Sequence, residues 1–288
     1  MALVTANRFN TLRQQIDNVL GNGSGDSGYG QTLVTQSVQV GDLIDATNIN
    51  NAYEDLRKAY KHQTGGNPVN SIIQAVNQGD LIKENDGVSY TGWDQYEALA
   101  SLVSTNRLTV DSAQQDIQAT LPNNRSSWNS TITMIVDVNF TDADARRHYF
   151  NAGGFIRISS NTTDTSSKGN SWNSVMGGNL EFGAHSTTST GGGTVASAVG
   201  NYELDGTVQR IYSNLDAGGG AYSANDYYVD VQQTAANQIQ FTMTWRDEAG
   251  GNPDEDVSNL NCDIYTATAI TDVIGTTPGV VRGSGDNF

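Results

Sequence analysis

Between Trp128 and Ser159 the chain shows its cleanest pattern. Trp128, Ile132, Met134, Val136, Val138 and Phe140 are apolar, while Asn129, Thr131, Thr133, Asp137 and Asn139 are polar. A period of two is the mark of a strand with one buried and one wetted face. The following TDADARRHYF reads as a turn, Asn151-Ala152-Gly153-Gly154 as a hinge and Phe155-Ile156-Arg157-Ile158 as the returning strand. Gly153 and Gly154 are expected to be structural turn residues, since glycine reaches positive φ without the steric cost of a Cβ.

Downstream of this stretch the pattern stays short and alternating. One helical turn is expected around Trp172 to Met176, and strands around Leu180/Phe182/Ala184, Val208 to Tyr212 and Leu260 to Tyr265. The strongest late signal is a hairpin, with Tyr227, Val229 and Val231 in one arm, Ile239, Phe241, Met243 and Trp245 in the other, and TAANQ between. Six or more short strands with glycine turns predict an antiparallel β-sandwich.

Upstream the period changes to that of helices. Thr5 to Leu20 places Phe9, Leu12, Ile16 and Val19/Leu20 on one stripe, with Thr5 or Asn7 as cap and Gly21 at its end. Ala46 to Gln63 carries Ile49, Ala52, Tyr53, Leu56 and Tyr60, capped by Asp45 or Thr47 and stopped by Gly65-Gly66. Gly92 to Thr105 carries Trp93, Tyr96, Leu99, Leu102 and Val103. Phe9/Ile16/Leu20 match Ile49/Leu56/Tyr60 at a distance of 40 residues, which reads as a faint duplication or as the correspondence that any two amphipathic helices show by chance. The segment Gln31 to Val40 reads as a short strand or an extended arm.

The expected fold class is therefore α+β and multidomain: a small N-terminal helical domain plus a C-terminal antiparallel β-sandwich. The division is 1–106 for a helical attachment domain with extended arms, 107–127 for a polar linker, 128–268 for the sandwich and 269–288 for a C-terminal arm.

At 288 residues there is chain enough for two cores. A formal charge of −16 repels phosphate backbones, so nucleic acid is not an expected partner. No apolar run approaches the ~20 residues of a membrane span. MALVTANRFN lacks the layout of a secretion signal. Cys262 is the only cysteine, which excludes an intramolecular disulfide, and its place between Leu260 and Ile264 reads as a small core residue.

Candidate chemistry is sparse. Gly25-Asp26-Ser27-Gly28 imitates a serine-protease nucleophile segment, yet it follows directly on a helix with no partnered histidine near it. His62, His148 and His185 have no neighbour at metal spacing and read as surface or interface residues. Arg146-Arg147-His148 is the only basic cluster and is expected to pair locally with Asp142 and Asp144. The acidic run from Asp247 to Asp256 is a weak calcium candidate through Asp247, Asp254 and Asp256, against a solvated turn or a salt-bridging contact. Trp93, Trp172, Tyr202, Tyr222, Tyr227 and Tyr228 are the aromatics a sugar platform would use, although most fall on core-facing positions. No catalytic residue, metal or cofactor is expected.

RFNTLRQQIDNVLGNGSGDSGYGQ, AYEDLRKAYKHQTG, RRHYFNAGGFIRIS with a following SWNSVM, and DEAGGNPDEDV together resemble a group of virion structural proteins of tailed marine phages, especially the T4-like cyanophages. The helix-GxGSGDSGYGQ and RR-x-YFNAGG segments carry most of that resemblance. It implies a non-enzymatic part of the tail, baseplate, neck or fibre attachment, assembled in the host cytoplasm into the virion, with other virion proteins and copies of itself as partners. The assembly interface is expected on Phe9, Leu12, Ile16, Leu20, Ile49, Leu56 and Tyr60. The alternative is a carbohydrate-binding adhesin that contacts the host surface.

Overall fold

The structure is a computed structural model that describes residues 4–23, 28–64, 66–85, 89–107, 116–126, 128, 130–248, 259–268 and 277–288. The chain divides into two compact units. One comprises residues 1–116, 147–153 and 269–276; the other comprises 117–146, 154–268 and 277–288. The fold is α+β, with a helical N-terminal part and two antiparallel sheets after it.

The helical unit is built on α1 (Ala6–Val19), α2 (Ala46–Thr64) and α3 (Trp93–Thr105). Thr5 caps α1 by accepting the Arg8 amide at 3.2 Å, and Asp45 accepts the Asn48 amide at 3.0 Å at the start of α2. The apolar stripes meet one another: Phe9, Leu12, Ile16, Leu20, Ile49 and Leu56 are buried, and Tyr60 packs partly buried against the same core. This corrects the expectation that these residues form an assembly interface. They are the interior of their own unit, because the three stripes close on one another. Leu102, counted in the α3 stripe, is exposed instead.

The match at 40 residues is a genuine internal repeat. Counted along the buried stripes, Phe9, Ile49 and Trp93 correspond, as do Leu12/Ala52/Tyr96, Ile16/Leu56/Ala100 and Val19/Ala59/Val103, although Trp93 is the first residue of its helix and the other two are the fourth of theirs. The connecting segments repeat as well. Asn10 of α1 accepts the Val38 amide at 3.0 Å and donates to the Val38 carbonyl at 2.8 Å. Asn50 of α2 does the same at Val76, at 2.9 Å each way. Each valine is followed by the same turn, Gly41-Asp42-Leu43-Ile44 and Gly79-Asp80-Leu81-Ile82. Gly41 and Gly79 have φ of 100° and 92°, and Asp42 and Asp80 accept the Gln39 and Asn77 amides at 2.7 Å. Gln31 to Val40 is thus a held extended segment rather than a strand.

In the second unit, β3 (Thr131–Asn139) buries alternate residues as its sequence requires. Its neighbours are β10 (Gln238–Arg246) and β12 (Gly279–Arg282), in a sheet completed by β9 (Asp226–Ala235), β8 (Gln209–Asn214) and β7 (Thr194–Val195). The opposite sheet runs β1 (Asp116–Leu121), β11 (Leu260–Thr268), β4 (Ile156–Thr162), β5 (Asn179–Phe182) and β6 (Thr187–Ser189), with β2 (Asn124–Arg125) also on β11. The two inner faces touch: Phe182 and Phe241 lie edge to face at 5.3 Å, and the Ser160 and Tyr227 hydroxyls are 3.0 Å apart. α5 (Ser167–Met176) adds Trp172, buried against Trp128 at 4.8 Å. The β9–β10 hairpin forms as expected.

Three expectations fail on pairing. β3 and β4 are not a hairpin but belong to different sheets, and the expected turn is α4 (Ala143–Asn151). Asp142 starts that helix by accepting the Ala145 amide at 2.7 Å. The 107–127 stretch, expected to be a linker, carries β1 and β2, since backbone pairing needs no apolar stripe. The 269–288 arm likewise contributes β12 to a sheet, and Phe288 lies 5.0 Å from Trp245.

The glycine hinge separates into two cases. Gly153 has φ of 89°, whereas Gly154 is not in the left-handed region. Gly153→Val is expected to destabilise the protein by roughly 1–2 kcal/mol, the cost of forcing a Cβ into that conformation. Gly154→Val should carry no such backbone penalty. Melting temperatures of the two variants check this, and equal losses would show that conformation is not what Gly153 provides.

Candidate functional site

The two segments that carry the resemblance are far apart in sequence and meet in the helical unit. After α1 the chain folds back along its own end. The amides of Gly28, Tyr29, Gln31 and Gly30 donate to the carbonyls of Asn22, Val19, Leu20 and Gly21 at 2.8–3.0 Å. The approach is too close for side chains: a Cβ on Gly28 would lie 2.1 Å from the Gly21 carbonyl oxygen. Gly30, with φ of 76°, faces the Arg147 guanidinium, where a Cβ would meet Nη2 at 2.3 Å. From α4, Asn151 donates to the Gly28 carbonyl at 2.8 Å, and Arg147 donates to Asn22 Oδ1 at 3.2 Å.

At the centre lie Tyr29, His62 and His148, all buried. The His62 and His148 rings are 4.7 Å apart, and Tyr29 lies edge-on to both, at 4.9 and 5.4 Å. The Tyr29 hydroxyl donates to the Arg107 carbonyl at 2.7 Å and accepts from Gln63 Nε2 at 2.9 Å. Gln63 also donates to the Val103 carbonyl at 2.7 Å, so α2 and α3 are tied to the same tyrosine. Burial pushes the Tyr29 phenol well above its usual range. Burial, with His62, Lys58 and Arg147 nearby, pushes the His148 imidazole down to about 2. The imidazole and the phenol are both shifted toward their neutral forms and both enclosed.

This corrects the reading of His62 and His148 as surface or interface residues. His62 lies on the buried face of α2 and His148 in the last turns of α4. They stand 86 positions apart in sequence, so no spacing announces them. His185 is exposed, 3.1 Å from Glu203 and stacked on Tyr202 at 4.8 Å. The basic cluster reaches partners beyond its local acids. In the sheet unit Arg146 is buried, donating to Asn201 Oδ1 at 2.6 Å and to the Asn201 carbonyl at 3.1 Å, and burial pulls its pKa down. Its neighbour Arg147 belongs to the helical unit.

Cys262 is buried, with its thiol pushed up to about 12 by burial, as befits a core residue. Of the aromatics weighed as a sugar platform, Trp93, Trp172 and Tyr227 are core, while Tyr228 lies under the Arg210 guanidinium at 3.8 Å. Gly25 to Ser27, Asp254 and Asp256 lie outside the described residues. Next to Asp247, Glu248 pairs with Arg246 at 3.2 Å. Among the described residues no group of three or more His, Cys, Asp or Glu side chains is placed to hold a metal ion. No helix among them is long and apolar enough to cross a membrane.

What the sequence did not announce is an apolar groove of about 600 Å³ in the helical unit. The chain entering each helix contributes to it: Val4 before α1, Val40, Leu43 and Ile44 before α2, and Leu81 and Ile82 before α3. Val40, Leu43 and Leu81 are 95%, 85% and 58% exposed, more than a folded surface usually leaves on three clustered large residues. Comparison with protein-family models, with curated proteins and with solved structures finds no match to this chain.

Proposed function

We propose that the chain is a non-enzymatic structural subunit of a tailed-phage virion, acting through protein–protein assembly. The observation that carries this reading is the use made of the two most specific segments of the resemblance. Gly28, Tyr29, Gly30, Arg147, His148 and Asn151 are spent on mutual packing, in an enclosure that favours the neutral phenol and the neutral imidazole. Residues kept for such packing build a rigid part, not a reaction centre. With the helix stripes buried, the surface left for assembly is the apolar rim of the groove. Covering Val40, Leu43 and Leu81 contributes roughly 1.5–3 kcal/mol each, which repetition in an array multiplies.

Immunogold labelling of tailed-phage particles that encode the chain tests this reading. Label is expected at the tail, baseplate, neck or fibre attachment in regular copy number. Unlabelled particles alongside free protein that binds host cells or arrayed glycans would favour the adhesin instead.

A further inference from the structure

The groove offers apolar side chains; the sheet unit offers main chain. β12 ends the sheet that runs on through β3, β10, β9, β8 and β7, and it pairs with β3 on one edge alone. Gly283 donates its amide to the Ile135 carbonyl at 2.8 Å, and the register is unbroken from Gly279 opposite Asn139 to Arg282 opposite Val136. Main-chain groups alternate between the two edges of a strand. Gly279, Val281 and Gly283 therefore turn theirs to β3. Val280 and Arg282 turn theirs to the other edge, where no further strand lies among the described residues. Edges of this kind are ordinarily guarded by a bulge, a proline or a charge. β12 has no register shift and no proline. Its one charged side chain, Arg282, is drawn back along its own chain to Asp286 and, at 3.1 Å, to the Phe288 carbonyl. Val281 stands on the solvent face, 50% exposed. The opposite edge of the sheet, β7, is two residues long and too short to template a neighbour.

We propose that the open edge of β12 pairs with β12 of a second copy of this chain, antiparallel about a twofold axis at Val281. In that register Val281 lies opposite Val281 of the second copy, and Val280 lies opposite Arg282. Each Val280–Arg282 pair exchanges amide-to-carbonyl bonds in both directions, because these are the residues that face outward. The two Val281 side chains meet at the closer, non-hydrogen-bonded spacing and cover one another. The occupant is a copy rather than an unlike chain because the strand complements itself. Its centre is apolar, its only charge meets a valine, and Gly279–Arg282 contains no acidic residue, although the chain as a whole carries −16. The six-stranded sheets of the two copies become one continuous sheet. The contact is small, so it is weak between two copies and gains from repetition in an array. The inference deepens the assembly reading, on which it rests for its setting, by naming a surface and a partner. It is tested on the isolated chain.

Sedimentation velocity of the full chain up to ~1 mM, where weak contacts saturate, is expected to show the mean mass rising from one chain toward two. Val281→Lys and Val281→Glu each set like charges opposite one another at an exposed position, and each should weaken association about tenfold. An equimolar mixture of the two should regain it, because the ammonium then faces the carboxylate. Val280→Pro removes an outward amide while Val281 keeps its bond to β3, and should also weaken association about tenfold. Melting curves report whether the variants stay folded, and if Val280→Pro does not, the mixture decides. A chain that stays single up to ~1 mM overturns the proposal. So does a mixture that associates no better than either variant alone, the result if the edge takes an unlike chain or the copies meet elsewhere. A folded Val280→Pro that associates like the wild type overturns it too, since the main-chain edge is then not the contact. Each of these failures leaves the particle labelling as it stands, and unlabelled particles leave the mass measurement as it stands.

Discussion

Replacing Gly28 by alanine is expected to open the helical unit while the sheets stay folded. The added Cβ would lie 2.1 Å from the Gly21 carbonyl oxygen and 3.1 Å from the Asn22 carbonyl carbon, and both obstacles are backbone. Relief requires separating the end of α1 from the returning segment, which breaks the hydrogen bonds from Gly28, Tyr29, Gly30 and Gln31 and withdraws Tyr29 from the two histidines. Overpacking of this kind costs on the order of 3 kcal/mol, a large share of the stability of a small unit. Hydrogen exchange of the α1 and α2 amides reads it, with the β9 and β10 amides as the internal reference. Gly66→Ala, which meets nothing within 4 Å, is the control and should leave the exchange unchanged. Wild-type protection of α1 in Gly28→Ala would show that the fold-back adapts.

Acid is the second large effect, and its sign is fixed by the direction of one shift. His148 is held neutral in the fold, with its pKa lowered to about 2, while an unfolded histidine titrates near 6.5. Between those values the unfolded state binds a proton that the folded state refuses. Stability from this group is therefore whole above about pH 6.5 and is lost as the pH falls toward 2, at roughly 1.4 kcal/mol per pH unit. The groups set around the imidazole are Tyr29 from the returning segment, His62 and Lys58 from α2, and Arg147 beside it on α4. His148→Phe keeps a ring between Tyr29 and His62 and removes the proton site, so its melting should fall less steeply between pH 6.5 and 4. An acid slope identical to wild type would place the sensitivity in other groups.

Much of the fold was legible because the elements are locally consistent. The three helices announced themselves through caps and stripes, and β3, β9 and β10 through alternation that matches their burial. What alternation cannot give is the neighbour. It states that Val136 points inward, not that its strand pairs with Phe241 of β10 rather than with Ile156 of β4. The central tyrosine–histidine cluster joins residues 29, 62 and 148, each an unremarkable single residue in its own segment. Only the closed fold brings them together. The strap repeat was legible: Val38 to Ile44 and Val76 to Ile82 share valine, Gly-Asp and Leu-Ile at identical spacing. A search for helical stripes passes over it, because its informative residues lie in the connections.

The discontinuity of the helical unit bears on how the polypeptide matures. Arg147 to Gly153 belong to that unit although β3 is strung between them and α3. During vectorial synthesis the first three helices leave the ribosome long before His148 and Asn151 do, so Tyr29 and the Gly28 carbonyl must wait without their final neighbours. The N-terminal region thus cannot reach its finished form as an autonomous early intermediate. Its last step waits for a segment that emerges only after β3 and just before β4, so completion of the helical unit overlaps with synthesis of the β region.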